Sequence, residues 1–386
     1  MRRGPAPAHT VLIPNPEGTT LNITRFGGVT ALAAVAALAL TSCAANETGG
    51  GTPAADESSS GLTGTLVGIG ASSQGSAQEA WRAAFQTANP DVTVEYSPDG
   101  SGAGREAFIA GGADFAGSDR ALNEEELAGT FGKCAEGTSA IDLPVYISPI
   151  AIIFNLEGVD ELNLDPATLA GIFSGSITTW DAPEIVALNP DATLPSSAIT
   201  AVHRSDDSGT TENFTEYLHA VAPDVWTEEA DGVWPDTFGG EAAAQTSGVV
   251  DAVTNGMGTI GYADASRAGE LGVAKIKVGD EFVEYSPEAA AAIVDASPEA
   301  EGREENDIAF EIDRTTTEAG VYPIVLVSYL ITCQDYQDDE TAALVKAYVG
   351  YVASEEGQAE GAETAGIAPL SSTVSSQVSD AIASIE

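Results

Sequence analysis

The chain has 386 residues, with 59 Asp and Glu against 14 Lys and Arg and a formal net charge of −45. That balance excludes nucleic acid as a partner, because holding a phosphate backbone needs clustered Lys and Arg. It also excludes long-range attraction as a way to gather anions, so any anion must be held at short range by desolvated hydrogen bonds and fixed dipoles.

Residues 1–42 read as an export signal. Arg2, Arg3 and Arg25 supply positive charge, and the apolar run Val29 to Leu40 is too short to span a bilayer comfortably. Leu40-Thr41-Ser42-Cys43 resembles a bacterial lipoprotein box, in which Cys43 takes the lipid and becomes the new N-terminus. This predicts a protein anchored to the outer face of the cell membrane. Residues 43–61 are the lipidated cysteine and a flexible tether, rich in Gly and Ser and without apolar periodicity.

From residue 62 onward strand-like and helix-like segments alternate, which predicts an α/β fold. Leu66 to Ile69 is a buried strand, followed by the turn Gly70-Ala71-Ser72-Ser73-Gln74-Gly75. Ala77, Ala80, Trp81, Ala84 and Phe85 then recur at helical spacing. Val92 to Tyr96 is a strand, Gly100 to Gly104 a second glycine-rich turn, and Arg105 to Ile109 a helix. Ala113 to Asp119 is a short strand ending in a polar turn. Val145 to Phe154 is a long apolar run interrupted by Pro149.

Ile199 to Val202 is a β-branched run leading into His203-Arg204-Ser205-Asp206-Asp207-Ser208-Gly209-Thr210-Thr211. Phe214, Tyr217, Leu218 and Val221 then mark a helix. Ser286 to Asp313, acidic and rich in Ala, reads as a solvated helix and loop, and Tyr322 to Thr332 is another long apolar run. About 320 residues exceed one comfortable core and predict two lobes.

Three turns share one design. Ser72-Ser73, Ser101 and Ser208-Gly209-Thr210 each follow a strand and precede a helix, offering small hydroxyls and close backbone approach. Helix starts expose unpaired N–H groups and favour negative charge, and Arg204 adds a planar fork of donors suited to an oxyanion. Each turn taken singly is equally explained by ordinary N-capping. Cys134 and Cys333 read as a disulfide in an exported protein, or as two buried thiols. The histidines form no metal-ligand cluster, and no metal or other cofactor is expected.

Together the blocks Gly68 to Ser73, Asp99 to Gly104, Ala113 to Asp119, Ile177 to Asp181, Arg204 to Thr210 and Gly258 to Tyr262 resemble the phosphate-binding proteins of high-affinity phosphate ABC transporters. The resemblance covers residues 62–386. It implies a two-lobed periplasmic-binding-protein fold with a hinge and the ligand in the interlobe cleft. One lobe would hold residues 62–147 and 322–386 and the other residues 148–321, with both cysteines in the first. The ligand would be inorganic phosphate, held by Ser72, Ser73, Ser101, Asp119, Arg204, Ser208, Gly209 and Thr210. A monomer delivering phosphate to a membrane permease is implied, with no catalysis.

Asp119 carries the selectivity in this reading. Phosphate near neutral pH still bears a proton that a carboxylate can accept, and sulfate does not. Arg204 is expected to offset the Asp119 charge. Two other readings compete. A secreted phosphoester hydrolase would need an activated nucleophile, with Ser101 or Ser208 as candidates and His203 as the nearby base. A binding protein for sulfate or another oxyanion would not need Asp119.

Overall fold

The computed structural model describes residues 61–386; the export signal, Cys43 and the tether up to residue 60 lie outside the described residues. Apolar residues on short strands open the chain. β1 (Gly64–Gly70), β2 (Val92–Ser97) and β3 (Phe115–Ser118) bury Leu66, Val92, Val94 and Phe115. They lie parallel in the order β2-β1-β3, joined by α1 (Gly75–Ala88) and α2 (Ser101–Ile109). Parallel neighbours need such crossovers, so the β1–α1 and β2–α2 turns share the C-terminal edge of the sheet. α3 (Glu124–Leu127) follows, started by a reciprocal Asn123–Glu126 capping box.

β4 (Ala140–Asn155) is 16 residues long and almost wholly buried. The next segment contains β5 (Leu162–Leu164), α4 (Pro166–Phe173), α5 (Pro183–Leu188), β6 (Thr200–Arg204) and α6 (Gly209–Val221). It continues through β7 (Glu241–Ala243), α7 (Gln245–Asn255), β8 (Thr259–Asp264), β9 (Gly272–Val278) and β10 (Glu281–Val283). After α8 (Pro287–Ala296) the chain returns as β11 (Val325–Cys333) and ends in α9 (Asp339–Ala353), α10 (Glu355–Ala365) and α11 (Ser372–Ala383).

The strand order is β2-β1-β3-β11-β4-β8-β6-β7, with β9 also on β4 and carrying β5 and β10. β4 belongs to two sheets. Ala140 to Pro149 pair with β11, and Ile150 to Asn155 pair with β8. The change of partner falls at Pro149, slightly later in the chain than the lobe boundary expected from sequence. Pro149 offers no N–H, and the next donor, Ile150 N, reaches Ile324 O at 2.7 Å. The run expected from Tyr322 becomes a strand only at Val325. Tyr322 instead donates its N–H to Ala289 O and its hydroxyl to Ile150 O, at 3.1 and 2.9 Å.

The Ser286–Asp313 segment forms the helix and loop expected, mostly exposed or half-buried, but part of it is buried. Ser286 caps α8, whose buried face packs on β4. Further on, Arg303 Nη1 donates to Asp142 and Asp307, both at 2.9 Å, and Asp307 accepts from Asp142 N at 2.9 Å. Burial and the neighbouring Asp307 push the Asp142 carboxyl well up, against the pull of Arg303. An acidic composition hid a buried polar knot. Cys134 and Cys333 form a disulfide between the loop after α3 and the end of β11.

Asp264 closes β8 beside the point where β4 changes sheets. It is fully buried, accepts from Tyr146 Oη at 2.9 Å and from Ser266 N at 3.0 Å, and burial pushes its carboxyl up to about 6 from 3.8. The native protein therefore holds this proton more firmly than the unfolded chain, and the contribution of Asp264 to stability falls as pH rises through that range. Asp264→Asn mimics the protonated form. Its stability relative to wild type is expected to be greater at pH 7.5 than at pH 4 by about 2–3 kcal/mol, the worth of about two pKa units. Urea unfolding of both proteins at the two pH values checks this, and a difference that does not change with pH would refute it.

Candidate anion-binding site

The turns singled out in the sequence meet around one carboxylate. Asp119, just past the end of β3, is 2% exposed. Its Oδ1 accepts from Ser73 Oγ at 2.6 Å and Ser328 Oγ at 2.7 Å, and its Oδ2 accepts from Thr210 Oγ1 at 2.9 Å. Its backbone N–H donates to Ser101 Oγ at 3.1 Å. Asp119 therefore caps no helix. It is an acceptor shared by hydroxyls from α6, β11 and the turn before α1.

The N-termini of α2 and α6 face each other across this carboxylate. Gly102 N donates to Asp207 O at 3.3 Å. A side chain at Gly209 would place Cβ 2.7 Å from both Asp119 Cβ and Ser101 Oγ. The capping alternative raised for the three turns applies to one of them. Ser208 caps α6, its hydroxyl accepting from Thr211 N at 3.2 Å, whereas no side chain caps α1 or α2. Ser72 Oγ instead accepts from Thr246 N at 3.1 Å, at the start of α7. Four helix starts thus surround the region, each contributing partial positive charge in a strongly acidic chain.

Arg204 ends β6 and is 3% exposed. It does not pair with Asp119, which corrects the expectation that it offsets that charge. Its fork goes to Asp206: Nε to Oδ1 at 2.9 Å and Nη2 to Oδ2 in a short contact. Burial works against the Asp206 charge, but the Arg204 hydrogen bond and charge, with Gln245 N at 2.9 Å, hold its carboxyl below the ordinary value. Arg204 Nη1 makes no hydrogen bond among the described residues. Gln245 holds a left-handed φ of 61°, costly for a residue with a Cβ, and its N–H to Asp206 helps fix that conformation.

Thr211 Oγ1 lies 2.7 Å from Tyr262 Oη, which accepts from Arg204 N at 3.2 Å and so braces strand and turn. His203 faces away from the serines. Its Nδ1 lies 2.8 Å from Arg204 O and its ring stacks on Trp234 at 4.6 Å. Burial pushes its imidazole down, toward the neutral form. Among the described residues no group of three or more His, Cys, Asp or Glu is placed to hold a metal ion.

All eight sequence candidates thus fall in one region. Four further residues belong to it. Ser328, Asp206, Asn213 and Thr246 supply or fix its polar groups. Asp206 could have been found as the only acceptor two residues from Arg204 in an extended turn. Ser328 could have been flagged as a hydroxyl inside an apolar strand that needs a buried partner.

A family model described as a PBP superfamily domain matches residues 54–356. The phosphate-binding protein PstS3 of Mycobacterium bovis (strain BCG / Pasteur 1173P2) is 37% identical over 341 residues, covering 85% of this chain and 90% of the relative. The chain belongs to this family, the PstS proteins of the PBP superfamily. PstS2 of the same organism is 34% identical over 385 residues, covering 95% of this chain and 100% of the relative. A phosphate-binding protein from Stenotrophomonas maltophilia shares the fold, with a TM-score of 0.61 at 20% identity over 82% of this chain and 93% of that one. The α/β periplasmic-binding-protein fold expected from sequence is the fold of this PstS-family chain.

Proposed function

We propose that the chain captures inorganic phosphate outside the membrane and passes it to the permease of a phosphate ABC importer. The observation that carries this is Asp119. A buried carboxylate stands among hydroxyl donors and helix N-termini, with Arg204 close behind the same turn. Only an anion that brings its own proton can face both the donors and that acceptor. Hydrogen phosphate does so, and so does hydrogen arsenate. The relatives are named for phosphate binding, which supports the same ligand.

In this reading Ser72, Ser73, Ser101, Asp119, Arg204, Ser208, Gly209 and Thr210 line the ligand. Residues 62–147 with 322–386 move as one lobe against residues 148–321, and lipidated Cys43 keeps a monomer at the outer membrane face. Hydrolysis is disfavoured by geometry. Ser208 Oγ is engaged as a cap, Ser101 Oγ accepts from Asp119 N, and His203 reaches neither.

Calorimetric titration of the chain from residue 44 onward tests the reading. Phosphate and arsenate are expected to bind at one site and sulfate not to compete. Absence of phosphate binding, sulfate binding of equal strength, or sustained release of product from a chromogenic phosphomonoester would each overturn it.

A further inference from the structure

Most of the proposed ligand residues are buried, with Ser101 1%, Asp119 2% and Thr210 2% exposed. In the phosphate reading, the contacts between α6 and the β3 side of the cleft part as an ion enters or leaves. Two of those contacts are made by side chains outside the proposed ligand set, both near the N-terminus of α6. Glu212 Oε2 accepts from Arg120 Nε at 2.9 Å. Asn213 Nδ2 donates to the main-chain oxygen of Asp119 at 2.6 Å and to that of Gly209 at 2.9 Å.

Each prong is braced from behind. Arg120 is held by Glu126 through Nη1 at 2.6 Å and Nη2 at 3.1 Å, and Glu126 also accepts from Arg105 Nε at 3.1 Å. Asn213 Oδ1 accepts a short bond from Arg314. That guanidinium also donates to Glu216 at 2.9 Å and to the carbonyls of Pro323 and Val325 at 3.2 and 2.6 Å, where the chain enters β11.

We infer that Glu212 and Asn213 form a clasp on the Asp119–Arg120 segment that sets how long phosphate is retained, without touching phosphate. The inference rests on the phosphate reading above. Opening the cleft breaks the Arg120–Glu212 bond but leaves Arg120 paired with Glu126, so the open form strands no buried charge and remains accessible. The clasp is positioned to act on release more than on capture, as expected for an ion pair formed only in the closed complex. The pair is partly exposed, with the Arg120 and Glu212 side chains 21% and 26% accessible, so salt reaches and weakens it.

Release of radiolabelled inorganic phosphate from wild type, Glu212→Gln, Arg120→Gln and the double variant tests this. Each single variant should release phosphate about 10-fold faster with association changed by less than about twofold, and the double variant should release no faster than the singles. Wild-type release should quicken with added NaCl, and Glu212→Gln should lose most of that dependence. Urea midpoints within error of wild type for Glu212→Gln separate the clasp from a folding defect. Wild-type release rates in Glu212→Gln, additive effects in the double variant, or an unchanged salt slope would overturn the clasp alone. Failure of wild type to retain phosphate would overturn the functional reading and the clasp with it.

Discussion

Asp119→Asn is expected to erase most of the preference for phosphate over sulfate. Ser73 and Ser328 both donate to Oδ1, so in the variant they orient the amide with its oxygen at that position. The NH2 group then takes the place of Oδ2, toward Thr210 and the cleft. A proton acceptor becomes a donor. Sulfate, which leaves the wild-type carboxylate facing unprotonated oxygens, gains a hydrogen bond, while hydrogen phosphate loses the acceptor for its proton. A site built around such a polar group rejects the mismatched analogue by about 10⁴-fold, and most of that factor should disappear. Sulfate competition against labelled phosphate, in wild type and variant, measures it. Selectivity that survives the substitution would assign discrimination to other groups.

Gly209→Ala should block closure while leaving the fold intact. The added Cβ would lie 2.7 Å from Asp119 Cβ and from Ser101 Oγ, closer than non-bonded carbon and oxygen tolerate. Gly209 is the first residue of α6, and its φ lies outside the left-handed region. Alanine is therefore conformationally welcome there and is a better helix former than glycine. The two effects have opposite signs. The clash acts only when α6 meets the Asp119 and Ser101 segments, and an overpacking cost of up to about 3 kcal/mol corresponds to about 100-fold weaker phosphate binding. The melting temperature without phosphate should be equal to wild type or higher. A variant that binds phosphate within about twofold of wild type would show that α6 and the Asp119 segment do not need to approach this closely.

The strand–turn–helix units were legible because their signals are local. Leu66 to Ile69 and Val92 to Tyr96 end in turns of Gly and Ser before helices with apolar spacing, and the structure forms those elements in that order. Asp119 and the Arg204 turn were legible for the same reason, as polar groups at the ends of apolar strands. What stayed hidden depends on chain segments far apart in sequence. Ser328 reads as filler within an apolar run until β11 is laid beside β3, where its hydroxyl reaches Asp119. Asn213 looks like any polar residue on a helix until α6 meets Asp119 O. The charge partner of Arg204 was misplaced for the opposite reason. Resemblance directed attention across the cleft to Asp119, while the nearer Asp206 had the reach to take both guanidinium donors. The Ser73 hydroxyl likewise anchors the carboxylate, a contact that needs β3 laid beside β1.

β4 crosses between the two sheets at a proline, and this bears on the mechanics of the molecule. A strand shared by two sheets resists bending because each swing must stretch hydrogen bonds in both ladders. At Pro149 there is no amide hydrogen to stretch. Ile150 begins the pairing with β8, so neither ladder depends on a donor at the crossing residue. In the two-lobe reading, Pro149 removes one hydrogen bond at the place where a hinge would turn, with paired strand on either side. Motion of one proposed lobe against the other would turn there rather than within a ladder. The groups around Asp119 would then meet in the same register each time the proposed lobes close.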